Sequence, residues 1–161
     1  MRRSGIGALA MGVIVLFAAA GYVSAQQSGV AKKTWTRGDE ESPEMHPGLS
    51  CIDCHARGEG PKFIIAGTVF QSISEADDVY GVPGAVVQIT DAKGKVRKLT
   101  TNASGNFFLK AWGNSVSMPF TAKVIYKGNE NAMATPQSSG NCAACHTAQG
   151  LNGAPGRIIV P

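Results

Sequence analysis

The four cysteines of this 161-residue chain occur as two copies of one short pattern, Cys-x-x-Cys-His, at Cys51–His55 and Cys142–His146. The two copies use every cysteine of the sequence and two of its three histidines. Each copy places two thiols three positions apart and an imidazole directly after the second thiol. Any fold of this chain must therefore present two local thiol–imidazole sites, one on either side of residues 56–141.

This order of side chains is the attachment pattern for c-type haem. Two thiols at this spacing form thioethers with the two vinyl groups along one edge of a porphyrin, and the following histidine lies under the iron as its proximal ligand. The sequence therefore predicts two covalently attached c-type haems. The predicted thioether residues are Cys51, Cys54, Cys142 and Cys145, and the predicted proximal iron ligands are His55 and His146.

Two other uses of paired cysteines compete with haem. A structural zinc site also takes four cysteine ligands from two Cys-x-x-Cys pairs, but it would leave both adjacent histidines without a role. Disulfides form readily outside the cytoplasm. A thiol–disulfide exchange enzyme needs one reactive pair within a thioredoxin-like βαβ pattern, which this sequence lacks. The repeated histidine favours haem over these alternatives.

A low-spin haem iron needs a second axial ligand. His46 is the only histidine outside the two motifs, so at most one haem can have two histidine ligands from this chain. We expect Met45 and Met133, which precede the motifs in segments rich in Pro, Gly or Ser, to be the distal iron ligands. A Met ligand raises the reduction potential relative to a second histidine. His46 either replaces Met45 or lies at the surface in a turn, and Met118 is expected in the core.

The first 25 residues have the three parts of a secretory signal peptide. Two arginines supply a positive start, an apolar run covers residues 6–20, and a small-residue cleavage site ends at Ala25. We expect cleavage after Ala25 and a periplasmic or extracellular protein with no integral membrane span. The alternative is an uncleaved anchor, since residues 5–23 are long enough to cross a bilayer. Residues 26–44 are polar and are expected to form a flexible leader.

The charge balance excludes a nucleic-acid-binding protein. The formal net charge is +4, and it falls to +2 when the two arginines of the signal peptide are removed. This net charge is small and the basic residues are scattered along the chain, whereas a nucleic-acid-binding surface needs a strongly basic patch. One basic cluster lies within a predicted hairpin, and a solvated edge strand explains it more simply. Its members are Lys93, Lys95, Arg97 and Lys98.

Residues 62–135 alternate apolar and polar side chains over short runs separated by turns. With 20 glycines, 8 prolines and only 16% charged residues, this pattern predicts a mainly β fold, a small β-sandwich without helices beyond short turns at the motifs. The flanking residues 45–61 and 136–161 are then the first and second haem-binding segments. The predicted strands are 63–70, 85–90, 95–101, 106–111, 120–126 and, after a turn at 128–131, a short strand near 132–135.

The positions of the two motifs along the chain predict where they lie in space. One motif precedes the first strand of the sandwich, and the other follows the last. Because the ends of a domain often lie close together, we expect the sandwich to bring both haems to one end. The tail, residues 157–160, is expected either to pack on a haem or to add an edge strand.

Three stretches of the β region resemble the carboxypeptidase regulatory-like module, a transthyretin-like (prealbumin-like) β-sandwich. They are Ala-Gly-Thr-Val at 66–69, Gly-Val-Pro-Gly-Ala-Val-Val at 81–87 and Thr-Thr-Asn-Ala-Ser-Gly-Asn-Phe at 100–107. The similarity extends over residues 64–127. It implies a structural or adhesive module that carries no catalytic residues.

The two cysteine motifs are similar to those of c-type cytochromes. The whole arrangement resembles small exported dihaem proteins of bacteria that respire on metals or other external acceptors. It implies a non-enzymatic electron-transfer protein whose partners are other cytochromes or redox proteins, and which can form homo-oligomers through haem faces. Two other functions stay open, namely a redox-sensing, gas-sensing or surface-binding module and a haem peroxidase, which needs acid–base groups beside an open iron.

Overall fold

The computed structural model describes residues 41–161, which include all cysteines and histidines and the candidate ligands Met45 and Met133. The predicted signal peptide, residues 1–25, and the leader up to residue 40 lie outside the described residues. No helix within residues 41–161 combines the length and the apolar character needed to cross a bilayer.

The described chain is mainly β, as the alternation of its side chains predicts. One six-residue helix, α1 (Cys51–Ala56), precedes the strands, and a single turn of 3-10 helix covers Cys142–Ala144. Both helical pieces coincide with the two cysteine motifs. The strands are β1 (Phe63–Phe70), β2 (Val86–Thr90), β3 (Val96–Thr100), β4 (Asn106–Lys110), β5 (Thr121–Tyr126), β6 (Asn129–Ala132) and β7 (Ile158–Ile159).

The strands form two sheets that share one core. The first sheet has the order β4-β1-β7, with β1 antiparallel to β4 and parallel to β7. The second has the order β3-β2-β5-β6 and is antiparallel throughout. Alternate side chains of each strand point to the same face, so each sheet contributes its apolar face to the core. Core residues include Ile65, Val69 and Phe107 from the first sheet and Val87 and Ile89 from the second.

Strand β1 differs from the others because it is covered on both faces. Its residues from Ile65 to Phe70 are all buried, whereas β2 alternates between buried and half-buried positions. One face of β1 packs in the sandwich core. On the same face Gly67 lies against the second cysteine motif, since a Cβ placed on it would come 2.9 Å from the Cβ of Cys142. The opposite face, which carries Thr68 and Phe70, is covered by Gly48, whose N–H donates to Thr68 Oγ1 at 2.9 Å. Strand β1 therefore joins the sandwich to this motif.

The strand after β5 begins earlier than the sequence pattern predicts. The chain turns at Lys127 and Gly128, whose φ angles are 48° and 83°, and β6 pairs with β5 from Asn129 onward. A two-residue turn with positive φ at both positions matches the twist of paired strands. The predicted turn at 128–131 and strand at 132–135 were therefore placed too far along the chain.

Two expectations about sheet edges are confirmed. The tail adds an edge strand, because β7 pairs with Val69 and Phe70 of β1. Arg97 and Lys98 of the basic cluster lie on β3, an edge strand whose side chains alternate between exposed and half-buried, and Lys93 and Lys95 lie in the turn before it. Within this cluster Arg97 is paired with Asp91, at 3.3 Å between Nη1 and Oδ2, and its side chain is only 10% exposed.

Replacing Ile89 by alanine should lower the free energy of unfolding by about 2–5 kcal/mol, because Ile89 is 1% exposed and its loss leaves a cavity in the core. The matched control is Val96→Ala on the edge strand, where Val96 is 49% exposed. We expect that control to change stability by about 0.5 kcal/mol or less. Chemical denaturation measures both changes, and losses of equal size would contradict a core between the two sheets.

Candidate functional site

The first cysteine motif forms helix α1. Ser50 caps its start, with the side-chain oxygen accepting a hydrogen bond from the backbone N–H of Asp53 at 3.4 Å. Residues three and four positions apart share one face of a helix, so the side chains of Cys51, Cys54 and His55 lie on one side of α1. His55 is 9% exposed. The local fold therefore brings two thiols and one buried imidazole together.

The ring of His55 is oriented by the loop that follows the helix. Its Nδ1 lies 2.8 Å from the carbonyl oxygen of Pro61. A carbonyl only accepts, so Nδ1 carries the proton and Nε2 keeps an unshared electron pair that can bind a metal. Gly60 packs flat against the ring, where a Cβ would come within 2.6 Å of Cε1. The ring of Phe63 lies on another side, with 4.3 Å between ring centroids.

The second motif reaches the same arrangement through a different backbone. Cys142 begins the 3-10 turn and Cys145 caps its end, and the N–H of His146 donates to the carbonyl of Cys142 at 2.9 Å. The Nδ1 of His146 lies 2.9 Å from the carbonyl oxygen of Gly156, again leaving Nε2 free of the proton. In both motifs the loop that follows therefore places one backbone carbonyl within hydrogen-bond distance of the imidazole.

The four thiols are free, and the two pairs share one pattern of hydrogen bonds. In each motif the first cysteine donates to the carbonyl two residues before it, at 3.8 Å from Cys51 to Leu49 and 3.6 Å from Cys142 to Gly140. The second cysteine of each motif accepts from a polar side chain. Arg57 Nη2 donates to Cys54 at 3.2 Å, and Asn152 Nδ2 donates to Cys145 at 3.7 Å.

Burial distinguishes the two first cysteines from ordinary thiols. Burial against β1 and the core, together with the nearby Cys51 thiol, raises the pKa of Cys142 to about 12. Burial also raises the pKa of Cys51. Both thiols are therefore protonated at neutral pH, because a poorly hydrated thiolate is unfavourable.

Asn141 directly connects the two motifs. Its side-chain oxygen accepts from the hydroxyl of Ser50 at 3.0 Å, and its amide nitrogen donates to Asp53 at 3.1 Å. Ser50 precedes the first cysteine of one motif, and Asn141 precedes the first cysteine of the other. The two motifs therefore lie side by side against β1, and the expectation that the sandwich brings them close together is confirmed.

A structural zinc site is the other cofactor site that paired cysteines can form. A tetrahedral site needs three or four side chains that converge on one point. Within residues 41–161, which contain every cysteine and histidine, no group of three or more His, Cys, Asp or Glu side chains is arranged to hold a metal ion. Two separate sites with one histidine each suit haem, because the porphyrin itself supplies the other in-plane ligands.

Met45 lies beside the first motif. It lines a cavity of about 200 Å³ together with Cys51, His55, Phe63 and Phe108. The rings of Phe63 and Phe108 are stacked with 4.8 Å between centroids, so this wall of the cavity is apolar and aromatic. The predicted distal ligand and the predicted proximal ligand of the first haem thus face the same space.

A second cavity, of about 400 Å³, lies between the two motifs. Gly48 and Ser50 line it from the segment before the first motif, and Ala143 and Thr147 line it from the second motif. Its walls are more polar than those of the cavity beside Met45, because Asp77, Gln149 and Arg157 also contribute to them.

The other candidate ligands lie elsewhere. His46 has a φ of 44° and its Nδ1 lies 3.1 Å from Asp78 Oδ1, with both side chains partly exposed. Met133 is half-buried and packs against the sandwich core. Met118 is 37% exposed, so its predicted place in the core is wrong. Met118 lies in the loop before β5, which begins at Thr121.

Sequence reasoning missed the groups that orient the two histidines and join the motifs. The carbonyl acceptors of Pro61 and Gly156 carry no signature of residue type, and the only signal is that both loops are rich in Gly and Pro. Asn141 and Arg157 gain their contacts through long-range packing, which no local pattern reveals.

No protein-family model, no curated protein and no solved structure matches this chain. The geometry of the two motifs is therefore the basis for the functional argument.

In the haem-free, reduced chain, Cys142 should react with iodoacetamide slowly at pH 8 and faster only as the pH approaches about 12, since the thiolate is the reacting form. Peptide mapping by mass spectrometry after timed alkylation measures the rate at each pH. The same chain unfolded in urea is the control, in which Cys142 should titrate near about 8.5. A midpoint at or below pH 9 in the folded chain would contradict the burial of this thiol.

Proposed function

We propose that this protein is an exported dihaem c-type cytochrome that transfers electrons and catalyses no reaction of its own. The observation that carries the proposal is the shared state of His55 and His146. Each follows a free Cys-x-x-Cys pair, and each donates its Nδ1 proton to a backbone carbonyl. Two motifs with different local backbones converge on this one arrangement, which chance does not readily explain.

The hydrogen bond to Nδ1 is what an iron-binding histidine requires. It selects the tautomer with an unprotonated Nε2, orients the ring, and makes the ring a better electron donor to a metal. Gly60 and Phe63 then restrict rotation of the His55 ring from two sides. A haem bound at each motif supplies one iron that cycles between two oxidation states. The hydrogen bonds to Pro61 and Gly156 would hold the two imidazoles in fixed orientations toward that iron.

The closeness of the motifs supports transfer between two haems within one molecule. Asn141 hydrogen-bonds to Ser50 and Asp53, so the two attachment segments touch through side chains. Groups attached at the two motifs would therefore be neighbours. We propose that electrons pass between the haems there and leave to partner cytochromes, other redox proteins or an external acceptor, including copies of this protein that meet through haem faces.

We propose Met45 as the distal ligand of the first haem, because it lines the same cavity as His55 and Cys51. His46 is less suited because it does not line this cavity, and its side chain lies instead against Asp78, with 3.1 Å between Nδ1 and Oδ1. Met133 packs on the core, and its role as distal ligand of the second haem stays a prediction.

The remaining parts of the proposal concern the location and the sandwich. Cleavage after Ala25 would deliver the protein to the periplasm or the cell exterior, where covalent attachment keeps a small protein from losing its cofactor. We propose that residues 62–135 are a carboxypeptidase regulatory-like, transthyretin-like module with a structural role. The two packed sheets of the sandwich support this proposal, since such a module is itself a small β-sandwich.

The decisive experiment expresses the full chain with c-type haem maturation and records intact mass and the pyridine haemochrome spectrum. We expect a chain that begins at Gln26 and carries the mass of two haems. Cys51→Ala/Cys54→Ala and Cys142→Ala/Cys145→Ala should each lose one haem and half of the haemochrome absorbance. A chain that binds no haem while its thiols are reduced and the maturation machinery is active would refute the proposal.

Met45→Ala should remove the methionine-ligation signature of one haem in the oxidised absorption and magnetic spectra and lower that haem's reduction potential. Met118→Ala is the matched control, because Met118 is exposed and lies away from the cavity. Unchanged spectra in Met45→Ala would show that another group binds the first iron. A high-spin spectrum in the unaltered protein would instead favour the sensing or peroxidase alternatives.

A further inference from the structure

Three buried polar side chains lie between the two motifs and take no part in the core. Thr68 is 5% exposed, Asn106 is 3% exposed and Arg157 is 4% exposed. Burying such groups is costly unless each finds hydrogen-bond partners. The partners that these three residues use point away from the core, toward the segments that carry the motifs.

Arg157 contacts both motif segments with one guanidinium group. Its Nη1 donates to the carbonyl of His146 at 3.3 Å and to the carbonyl of Gly48 at 3.0 Å. Its Nε donates to the carbonyl of Glu75 at 2.9 Å, its Nη2 pairs with Asp77, and its positive charge lies over the ring of Phe70. Arg157 also directly follows Gly156, whose carbonyl orients His146.

The contacts continue from Gly48 to Met45 without a gap. The N–H of Gly48 donates to Thr68 Oγ1 at 2.9 Å, and that hydroxyl donates to Asn106 Oδ1 at 2.6 Å. Asn106 Nδ2 then donates to the carbonyl of Met45 at 2.8 Å. In this series each N–H or O–H group donates one hydrogen bond, and each bond is accepted by an oxygen. A single buried network therefore runs from the second histidine to the candidate distal ligand of the first haem.

We propose that Arg157, Thr68 and Asn106 are positioning residues that hold both iron sites in a fixed relation to β1. Thr68 and Asn106 fix residues 45–48, and Arg157 fixes His146 and residue 48 together. The proposal rests on the proposed haem function and adds a physical link between the two sites. It implies that a change at Arg157 alters both haems, whereas a change at Thr68 alters the first haem alone.

The first test compares Arg157→Lys with the unaltered holoprotein by redox titration and magnetic resonance of the oxidised haems. Lysine keeps the positive charge but has no fork of donors to reach several carbonyls at once. We expect full haem content, shifts in both midpoint potentials and altered axial-ligand signals. Arg97→Lys is the matched control, because Arg97 is also a nearly buried arginine paired with an aspartate, and it lies on β3. That control should leave both potentials unchanged.

The second test uses Thr68→Val and Thr68→Ser. Valine has a similar shape without the hydroxyl, so the N–H of Gly48 loses its acceptor, whereas serine keeps the hydroxyl. Thr68→Val should speed hydrogen exchange at the Gly48 amide and shift only the potential that is lost in Cys51→Ala/Cys54→Ala. Thr68→Ser should restore both measurements. If Arg157→Lys does not fold, this pair decides the proposal.

The outcomes separate the two proposals. If the unaltered protein attaches no haem, the proposed function fails and the positioning role fails with it. If it attaches two haems but Thr68→Val leaves both potentials and the Gly48 exchange rate unchanged, only the positioning role is wrong. Equal shifts in Arg97→Lys and Arg157→Lys would also overturn it, because they would reflect a general loss of stability.

Discussion

Backbone pairing to strand β1 is the constraint on which the rest of the molecule depends. β1 carries β4 on one edge and β7 on the other, and its N–H at Ala66 donates to the carbonyl of Gly140 just before the second motif. Six of its eight residues are buried, because both its faces are covered. A strand covered on both faces cannot shift its register without exposing apolar groups, so whatever is attached to it is held in place.

The attached parts are the two cysteine motifs. They differ in backbone, since one is an α-helical turn and the other a 3-10 turn, yet each ends in a histidine whose Nδ1 proton goes to a carbonyl. Asn141 links the two motifs through hydrogen bonds to Ser50 and Asp53. An electron carrier gains from such rigidity, because a site that keeps its geometry on oxidation and reduction has little structure to rearrange with each electron.

The sequence predicted the strands and the two motifs, because each is encoded by neighbouring residues. It missed contacts between residues far apart in the chain and hydrogen bonds whose acceptors are backbone carbonyls. The strands follow side-chain alternation, and β6 was misplaced only because Lys127 adopts a positive φ that glycine and asparagine take more readily. The motifs were found because they are contiguous. The partners of His55 and His146 are carbonyls, which every residue has. Arg157 lies at the end of the chain and reaches Gly48 only in the folded state.

The parallel pairing of β1 with β7 joins Val69 to Ile158 and encloses the second motif in the loop between them. Closing so long a loop is slow relative to local folding, and it cannot occur until residues 158–159 are free to pair with β1. Once it closes, Cys142 packs against Gly67 of β1. On the proposed function, we expect haem to attach at the second motif more readily before Cys142 packs against Gly67 than after.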